Sequence, residues 1–305
     1  MNKQSFIIAD VFTEKQFGGN QLAVFTDARG LDAETMQDIA REMHFSETTF
    51  LFPPESGGDY RVRSFTPETE LPFAGHPLVG TGYVVVAERL KSWSAPTTTV
   101  TLEAGVGPIT VEVNTENERA GHTVMTQPLP IVRGAFADVT ALAKALSLEP
   151  AEIESTGLPV EAIYNGLAVL VVPVASLAAI KRIKPDAGAL ERISDEMGAQ
   201  TVLTFARETE MESSTAHCRV FAPAAGVIED AATGSANGPL GFYLVRHRVV
   251  EAQAVTRVLS EQGFEMRRPS LLHIEVDVDP LSNEVAGVRV GGGVVISGRG
   301  EIFLP

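Results

Sequence analysis

The 305-residue chain is 44% hydrophobic and 21% charged, with glycine and proline spread evenly, a composition that excludes extended disorder. Its formal charge of −15, with no cluster of Lys and Arg, excludes the basic face that a nucleic-acid partner needs. The length suits two domains of about 150 residues, and the longest apolar run, Ala162 to Pro173, falls far short of the roughly 20 residues that cross a bilayer.

Taken in chain order, MNKQSFIIADVF reads as a strand without a signal peptide's cleavage site, which predicts a cytoplasmic protein with no membrane partner. Asn20-Gln-Leu-Ala-Val-Phe is a second strand. Residues 32–52, DAETMQDIAREMHFSETTFLF, read as helix then strand: Met36, Ile39, Ala40 and Met43 recur at helical spacing, and TTFLF has strand composition. Arg63-Ser-Phe65-Thr-Pro67 leads to FAGHPLVG at 73–80, where His76 stands between a glycine and a proline before a small-residue helix, Pro77 to Leu90. Glu103-Ala-Gly105 then precedes the strand ITVEV.

The series begins again at Asn165-Gly-Leu-Ala-Val-Leu. Residues 186–206, DAGALERISDEMGAQTVLTFA, lie on 32–52 without a gap, and Arg219-Val-Phe221-Ala-Pro223 matches the earlier Arg63 block. ATGSANGP at 232–239 opens a helix, Ala236 to His247, and Glu261-Gln-Gly263 precedes LHIEV. Blocks repeated in one order point to an internal duplication with halves 1–125 and 126–305, the last strand being a candidate to pack with the first half. The expected fold is α+β, each half a curved, mostly antiparallel sheet wrapped around a central helix.

On that alignment Gly75 falls on Gly234, His76 on Ser235, Ala74 on Thr233, Glu70 on Glu229 and Leu71 on Asp230. Each turn places unpaired N–H groups and partial positive charge at a helix start, and Gly75 and Gly234 let a ligand approach the backbone. If the turns face each other, they hold one carboxylate between two helix N-termini. Glu47 falls opposite Thr201, so one half carries an acid that the other lacks. It stands where a helix meets an apolar strand, and burial there favours the proton-holding form of a carboxyl. Cys218, the single cysteine, lies in a strand-like segment and is expected to be a buried structural thiol in a reducing compartment. Gly291-Gly-Gly293 lacks the following helix that a phosphate loop requires, and the histidines show no metal-ligand spacing.

Asp10-Val-Phe, Gly18-Gly-Asn20-Gln-Leu-Ala-Val-Phe, Phe45-Ser46-Glu47-Thr48, RSFTPETELPFAGHPLVGTGYV, Glu229-Asp230-Ala-Ala-Thr-Gly-Ser235-Ala and SEQGFEMRRPS at 260–270 together resemble the phenazine-biosynthesis PhzF-like isomerase family, which has the diaminopimelate epimerase type of fold. The resemblance spans residues from about 10 to about 300. It implies two pseudo-equivalent domains with the active site between them, a homodimer, and no metal or organic cofactor. The substrate it implies is a small amino- or hydroxy-carboxylic acid, of which trans-2,3-dihydro-3-hydroxyanthranilate is one candidate.

In the racemases and epimerases of this fold two cysteines serve as paired acid and base. Here their places fall on Ala74 and Thr233, neither of which moves a proton at neutral pH. The family's single proton-carrying glutamate falls on Glu47. By the same carry-over Asp230 binds the substrate's amino or hydroxyl group and shares a proton relay with His76, Ser235 and nearby N–H groups hold the carboxylate, and Asn20 lines the pocket. After TGSA the chain reads Asn237-Gly-Pro where many members carry a bulkier His-Cys type pair, a change expected to alter the shape presented to substrate. Two other readings stay open at this point, a non-catalytic binding or interaction protein keeping the fold, and an epimerase. The complete set of Glu47, His76, Asp230 and Ser235 favours an enzyme over a binding protein.

Overall fold

The computed structural model describes residues 3–116, 119–282 and 284–304. Two compact units divide the chain, residues 1–126 with 291–305, and residues 127–290. The first contains β1 (Lys3–Val11), β2 (Asn20–Phe25), α1 (Ala33–Met43), β3 (Glu47–Phe52), β4 (Tyr60–Phe65), β5 (Glu70–Leu71), α2 (Gly75–Ala87), β6 (Thr97–Ala104), β7 (Gly107–Glu116) and β8 (Arg119–Gln127). The second contains β9 (Ile131–Ala135), α3 (Val139–Ala145), α4 (Ala151–Glu154), β10 (Glu161–Tyr164), β11 (Ala168–Pro173), α5 (Leu177–Lys181), α6 (Ala187–Met197), β12 (Thr201–Ala206), β13 (Ala216–Ala222), β14 (Val227–Asp230), α7 (Gly234–Arg246), β15 (Val255–Gln262), β16 (Ser270–Val278) and β17 (Val285–Gly292). β18 (Val294–Phe303) belongs to the first unit and pairs antiparallel with β1, Lys3 opposite Phe303.

The fold is α+β, with mostly antiparallel pairings and parallel ones where a helix or a crossover joins two strands. The helix α1 starts because the Asp32 carboxylate accepts the Thr35 N–H at 2.8 Å, and it lays Met36, Ile39 and Ala40 on Phe25, Phe50 and Phe65. Asp186 caps α6 in the same way through the Ala189 N–H at 3.0 Å, and Leu190 and Ile193 join the core of the second unit.

α2 and α7 are the central helices, both thirteen residues long and buried through their first two turns. A helix can lie that deep only if its contact face is small. A Cβ on Gly82 would stand 2.5 Å from a Val111 methyl on β7, and one on Gly241 would stand 2.5 Å from an Ile274 methyl on β16. Both helices begin two residues before the sequence-based start. Pro77 sits in the first turn, where a missing N–H leaves no bond unmade, so it does not mark the boundary.

Strand registers repeat between the units. Thr48 lies opposite Phe65 as Val202 lies opposite Phe221, Ser64 opposite Leu71 as Val220 opposite Asp230, and Arg61 opposite Glu103 as His217 opposite Glu261. Bidentate pairs recur as well, Arg63 on Glu70 and Arg219 on Glu229. The echo of NQLAVF in NGLAVL is out of step by two residues, since Ala23 pairs Thr48 whereas Leu170 pairs Val202.

One buried charge cluster distinguishes the second unit. His217 Nδ1 lies 2.7 Å from Glu261 Oε1, and its Nε2 lies 3.0 Å from Glu265 Oε1. Burial opposes a charge on the ring, but hydrogen bonds to the two carboxylates outweigh it and raise the histidine to about 9. Cys218, its neighbour, is fully buried, and that burial pushes the thiol up to about 12, which suits a structural residue.

A histidine raised from about 6.5 to about 9 stabilises the fold fully below pH 6.5, and the contribution is lost as pH climbs through 9. Urea denaturation should therefore show the wild type weakening between pH 6.5 and 9.5, by an amount of order 1–3 kcal/mol. His217→Gln should be less stable at pH 6.5 and nearly flat over that window. Equal slopes in the two proteins would remove His217 from the account.

Candidate active site

In the first unit, three polar side chains meet at the start of α2. Gly19, with φ 63, turns the chain into β2 where no larger residue fits, because a Cβ there would stand 2.3 Å from the Val11 carbonyl oxygen. Asn20 opens β2 and Glu47 opens the adjacent parallel strand β3, with Leu22 opposite Glu47. His76, in the first turn of α2, places Nδ1 3.2 Å from Asn20 Nδ2 and 3.3 Å from Glu47 Oε2. The His76 side chain is 2% exposed and that of Glu47 13% exposed.

The single Nδ1 lone pair takes one hydrogen bond, which Asn20 Nδ2 is placed to give, whereas a protonated Nδ1 would donate toward Glu47 Oε2. A carboxyl and an imidazole this close can pass a proton over a short distance, the property a general acid–base needs.

In the second unit the turn before α7 is built by four polar side chains. Thr233, at the N-cap, donates its hydroxyl to Asp230 Oδ2 at 2.6 Å and so makes no cap bond to its own helix. Gln262, the last residue of β15, donates to the Asp230 carbonyl at 2.8 Å and accepts the Thr233 N–H at 3.2 Å. Asn237 donates to the Thr233 carbonyl at 3.0 Å and to Gln262 Oε1 at 3.1 Å. Its amide nitrogen is thus committed inside the unit, so Asn237 supports the turn. Gly234 and Ser235 form the first turn, and Ser235 is buried.

Pro239 within α7 has no N–H for the Ser235 carbonyl four residues back. Asn165 fills the gap, donating to that carbonyl at 3.0 Å and to Gln127 Oε1 at 2.6 Å, while Gln127 donates to the Gly234 carbonyl at 2.8 Å. Asn20 and Asn165 thus both serve the first turn of their own unit's central helix despite the two-residue slip. The sequence reading missed Gln127, Asn165 and Gln262. The signal that would have found Asn165 was Pro239, which demands a substitute donor. Among the described residues no group of three or more His, Cys, Asp or Glu side chains converges as metal ligands would, and no described helix is long and apolar enough to cross a membrane.

The sequence profile of phenazine biosynthesis-like proteins matches residues 9–300. The chain belongs to that family. It is 38% identical to a trans-2,3-dihydro-3-hydroxyanthranilate isomerase of Pseudomonas chlororaphis over 98% of this chain and 99% of that one. It is 34% identical to an uncharacterized isomerase of Mesorhizobium japonicum across the full length of both. The crystal structure of a phenazine biosynthesis protein of the PhzF family from Bacillus anthracis covers 100% of each chain with a TM-score of 0.88 at 28% identity. This PhzF-family chain is accordingly an isomerase, and its α+β architecture is the family's.

Asn165→Ala should cost about 1–3 kcal/mol in thermal denaturation, because the buried Ser235 carbonyl loses its donor. In a Pro239→Ala background the helix N–H returns and the same substitution should cost less than half as much. Equal costs in both backgrounds would mean that Asn165 works through something other than this carbonyl.

Proposed function

We propose that the chain catalyses an allylic proton shift on a small amino- or hydroxy-carboxylic acid of the dihydrohydroxyanthranilate type, with Glu47 as the proton carrier. The observation that carries this reading is the Glu47 carboxyl, 3.3 Å from His76 Nδ1 at the buried start of α2, in a chain with near full-length similarity to isomerases of that substrate. Glu47 breaks a C–H bond at one carbon and takes the proton, the electron pair moves into the conjugated system, the double bond migrates, and the proton returns to another carbon. No electrons enter or leave. His76 and Asn20 hold the carboxyl in place and accommodate its proton.

Asp230 takes the substrate's amino or hydroxyl group, and its bond from Thr233 fixes the carboxylate oxygen that does so. Ser235 and the N–H groups opening α7 take the substrate carboxylate, since a helix N-terminus favours negative charge. Gly75 and Gly234 keep both helix starts free of side-chain bulk. General acid–base catalysis supplies about 10²- to 10⁴-fold, and positioning supplies the rest. A homodimer in the cytoplasm completes the reading, and sedimentation at twice the chain mass is the outcome expected of the dimer.

Glu47→Gln should keep the fold, since the shape is nearly unchanged, and lose turnover of trans-2,3-dihydro-3-hydroxyanthranilate by at least ~10²-fold. In D₂O the wild type should place solvent deuterium on the product carbon, less any proton returned before exchange, while Glu47→Gln places none. Thr201→Val, at the matching place in the second unit, should behave nearly as wild type. Normal turnover by Glu47→Gln would move the base elsewhere.

A further inference from the structure

Gln262 is fully buried, and all its hydrogen-bonding capacity is directed at the turn that carries Asp230. The Asp230 carbonyl can only accept and the Thr233 N–H can only donate, so these two backbone groups fix which end of the amide is nitrogen. Nε2 therefore faces Thr233 Oγ1, at 3.1 Å, as a donor. A hydroxyl that accepts from Gln262 must turn its single proton elsewhere, and Asp230 Oδ2 waits at 2.6 Å.

The first unit provides the comparison. At the matching register it has Leu71 for Asp230, Ala74 for Thr233, Leu78 for Asn237 and Ala104 for Gln262. Four polar residues in one unit answer to four apolar residues in the other, on the same turn, the same helix start and the same strand end. Gly105 and Gly263, one residue beyond, even press on matching neighbours, Pro72 and Ala231. The backbone of this turn thus forms without any polar network. Burying four polar side chains where apolar ones suffice is costly unless their hydrogen bonds serve something else.

We propose that Gln262 is a positioning residue of the isomerase, acting through Thr233: its amide locks the Thr233 hydroxyl so that it donates to Asp230 and fixes the orientation and charge of that carboxylate toward substrate. The assignment rests on the reading of Asp230 as a substrate-binding group. Asn237 completes the device by holding Gln262 Oε1 and the Thr233 carbonyl together. No bond is made or broken in it; the relay sets a direction for one hydroxyl proton.

The test is a coupling measurement on the full chain with trans-2,3-dihydro-3-hydroxyanthranilate. Gln262→Glu keeps the acceptor for Thr233 N–H and Asn237 but presents an acceptor where Thr233 now finds a donor, so the hydroxyl turns away from Asp230. It should lower kcat/KM by ~10-fold or more in the wild type and by less than ~2-fold when Thr233 is already valine. Thr233→Val should cost as much by itself while the protein stays folded at the assay temperature despite a lowered Tm, and Thr233→Ser should restore activity to within about 3-fold, so the proposal stands or falls on the threonine pair even if Gln262→Glu fails to fold. The same fold-loss for Gln262→Glu in both Thr233 backgrounds, or full activity in Thr233→Val, overturns it. Full activity in Asp230→Asn would instead overturn the role given to Asp230. If the wild type leaves this substrate untouched, the substrate assignment falls and the relay is judged by a crystal structure of Gln262→Glu at pH 8: Thr233 Oγ1 should part from Asp230 Oδ2 beyond about 3.2 Å, and an unchanged contact overturns the relay.

Discussion

A helix sealed inside its own unit must be thin on the face that meets the sheet and must find partners for the polar groups at its start. The first demand selects Gly82 and Gly241, each so close to a β-branched side chain on the strand beneath that a methyl group would collide. The second is harder to meet. The opening N–H groups have no partner within the helix, and burial removes the water that would otherwise serve. Neither α2 nor α7 takes a side-chain cap bond, and the polar side chains gathered at their starts bond instead to one another, to backbone carbonyls and to the Thr233 N–H: Asn20, Glu47 and His76 at one, Thr233, Asn237, Gln262 and Asn165 at the other. Both places thus combine buried polar side chains with the positive end of a helix, the setting on which the proposed function draws.

The two units meet the demand differently, and that difference is where function separates from architecture. They share the Asp caps of α1 and α6, the Arg–Glu pairs beside the central turns, and a buried glutamate that accepts backbone N–H groups. In the first unit that glutamate is Glu103, held down near 2 by the Glu55, Gly58 and Ser56 N–H groups. In the second it is Glu261, where burial opposes the charge and His217 with the Glu210 N–H overcomes it. Such shared features stabilise the scaffold. The unshared Glu47 against Thr201 and Asp230 against Leu71 do not belong to that common scaffold, and the proposed function rests on them.

Much of this was legible in the sequence because it is local or periodic. The amphipathic spacing of Met36, Ile39 and Ala40, the Asp–x–x caps and the paired Arg and Glu blocks all fix elements within a few residues of themselves, and the repeated blocks then align one half on the other. Glu47 was singled out by the family resemblance, and the alignment added that it has no acidic counterpart in the other half. What stayed hidden is contact between distant positions. Gln262 reaches back 29 residues to Thr233, and Gln127 reaches forward 107 residues to Gly234; glutamine carries no periodic or motif signal. The two-residue slip between NQLAVF and NGLAVL was hidden for a related reason. Similar apolar strands align in several registers, and only the hydrogen-bonded neighbour decides among them.

The unmatched Glu47 also bears on stereochemistry. Inversion at one carbon needs an acid and a base reaching it from different sides. The positions that carry thiols in the racemases of this fold hold Ala74, which has no proton to give, and Thr233, whose proton is engaged with Asp230. On the proposed reading Glu47 both takes and returns the proton, so the two carbons it serves must lie within reach of one carboxyl held against His76, and the transfer occurs across one face of the substrate. A planar, conjugated acid satisfies that geometry with little motion of the carboxyl, because its reacting carbons share a plane and the migrating double bond keeps them there. The same demand disfavours a saturated substrate, whose carbons offer the carboxyl no common face.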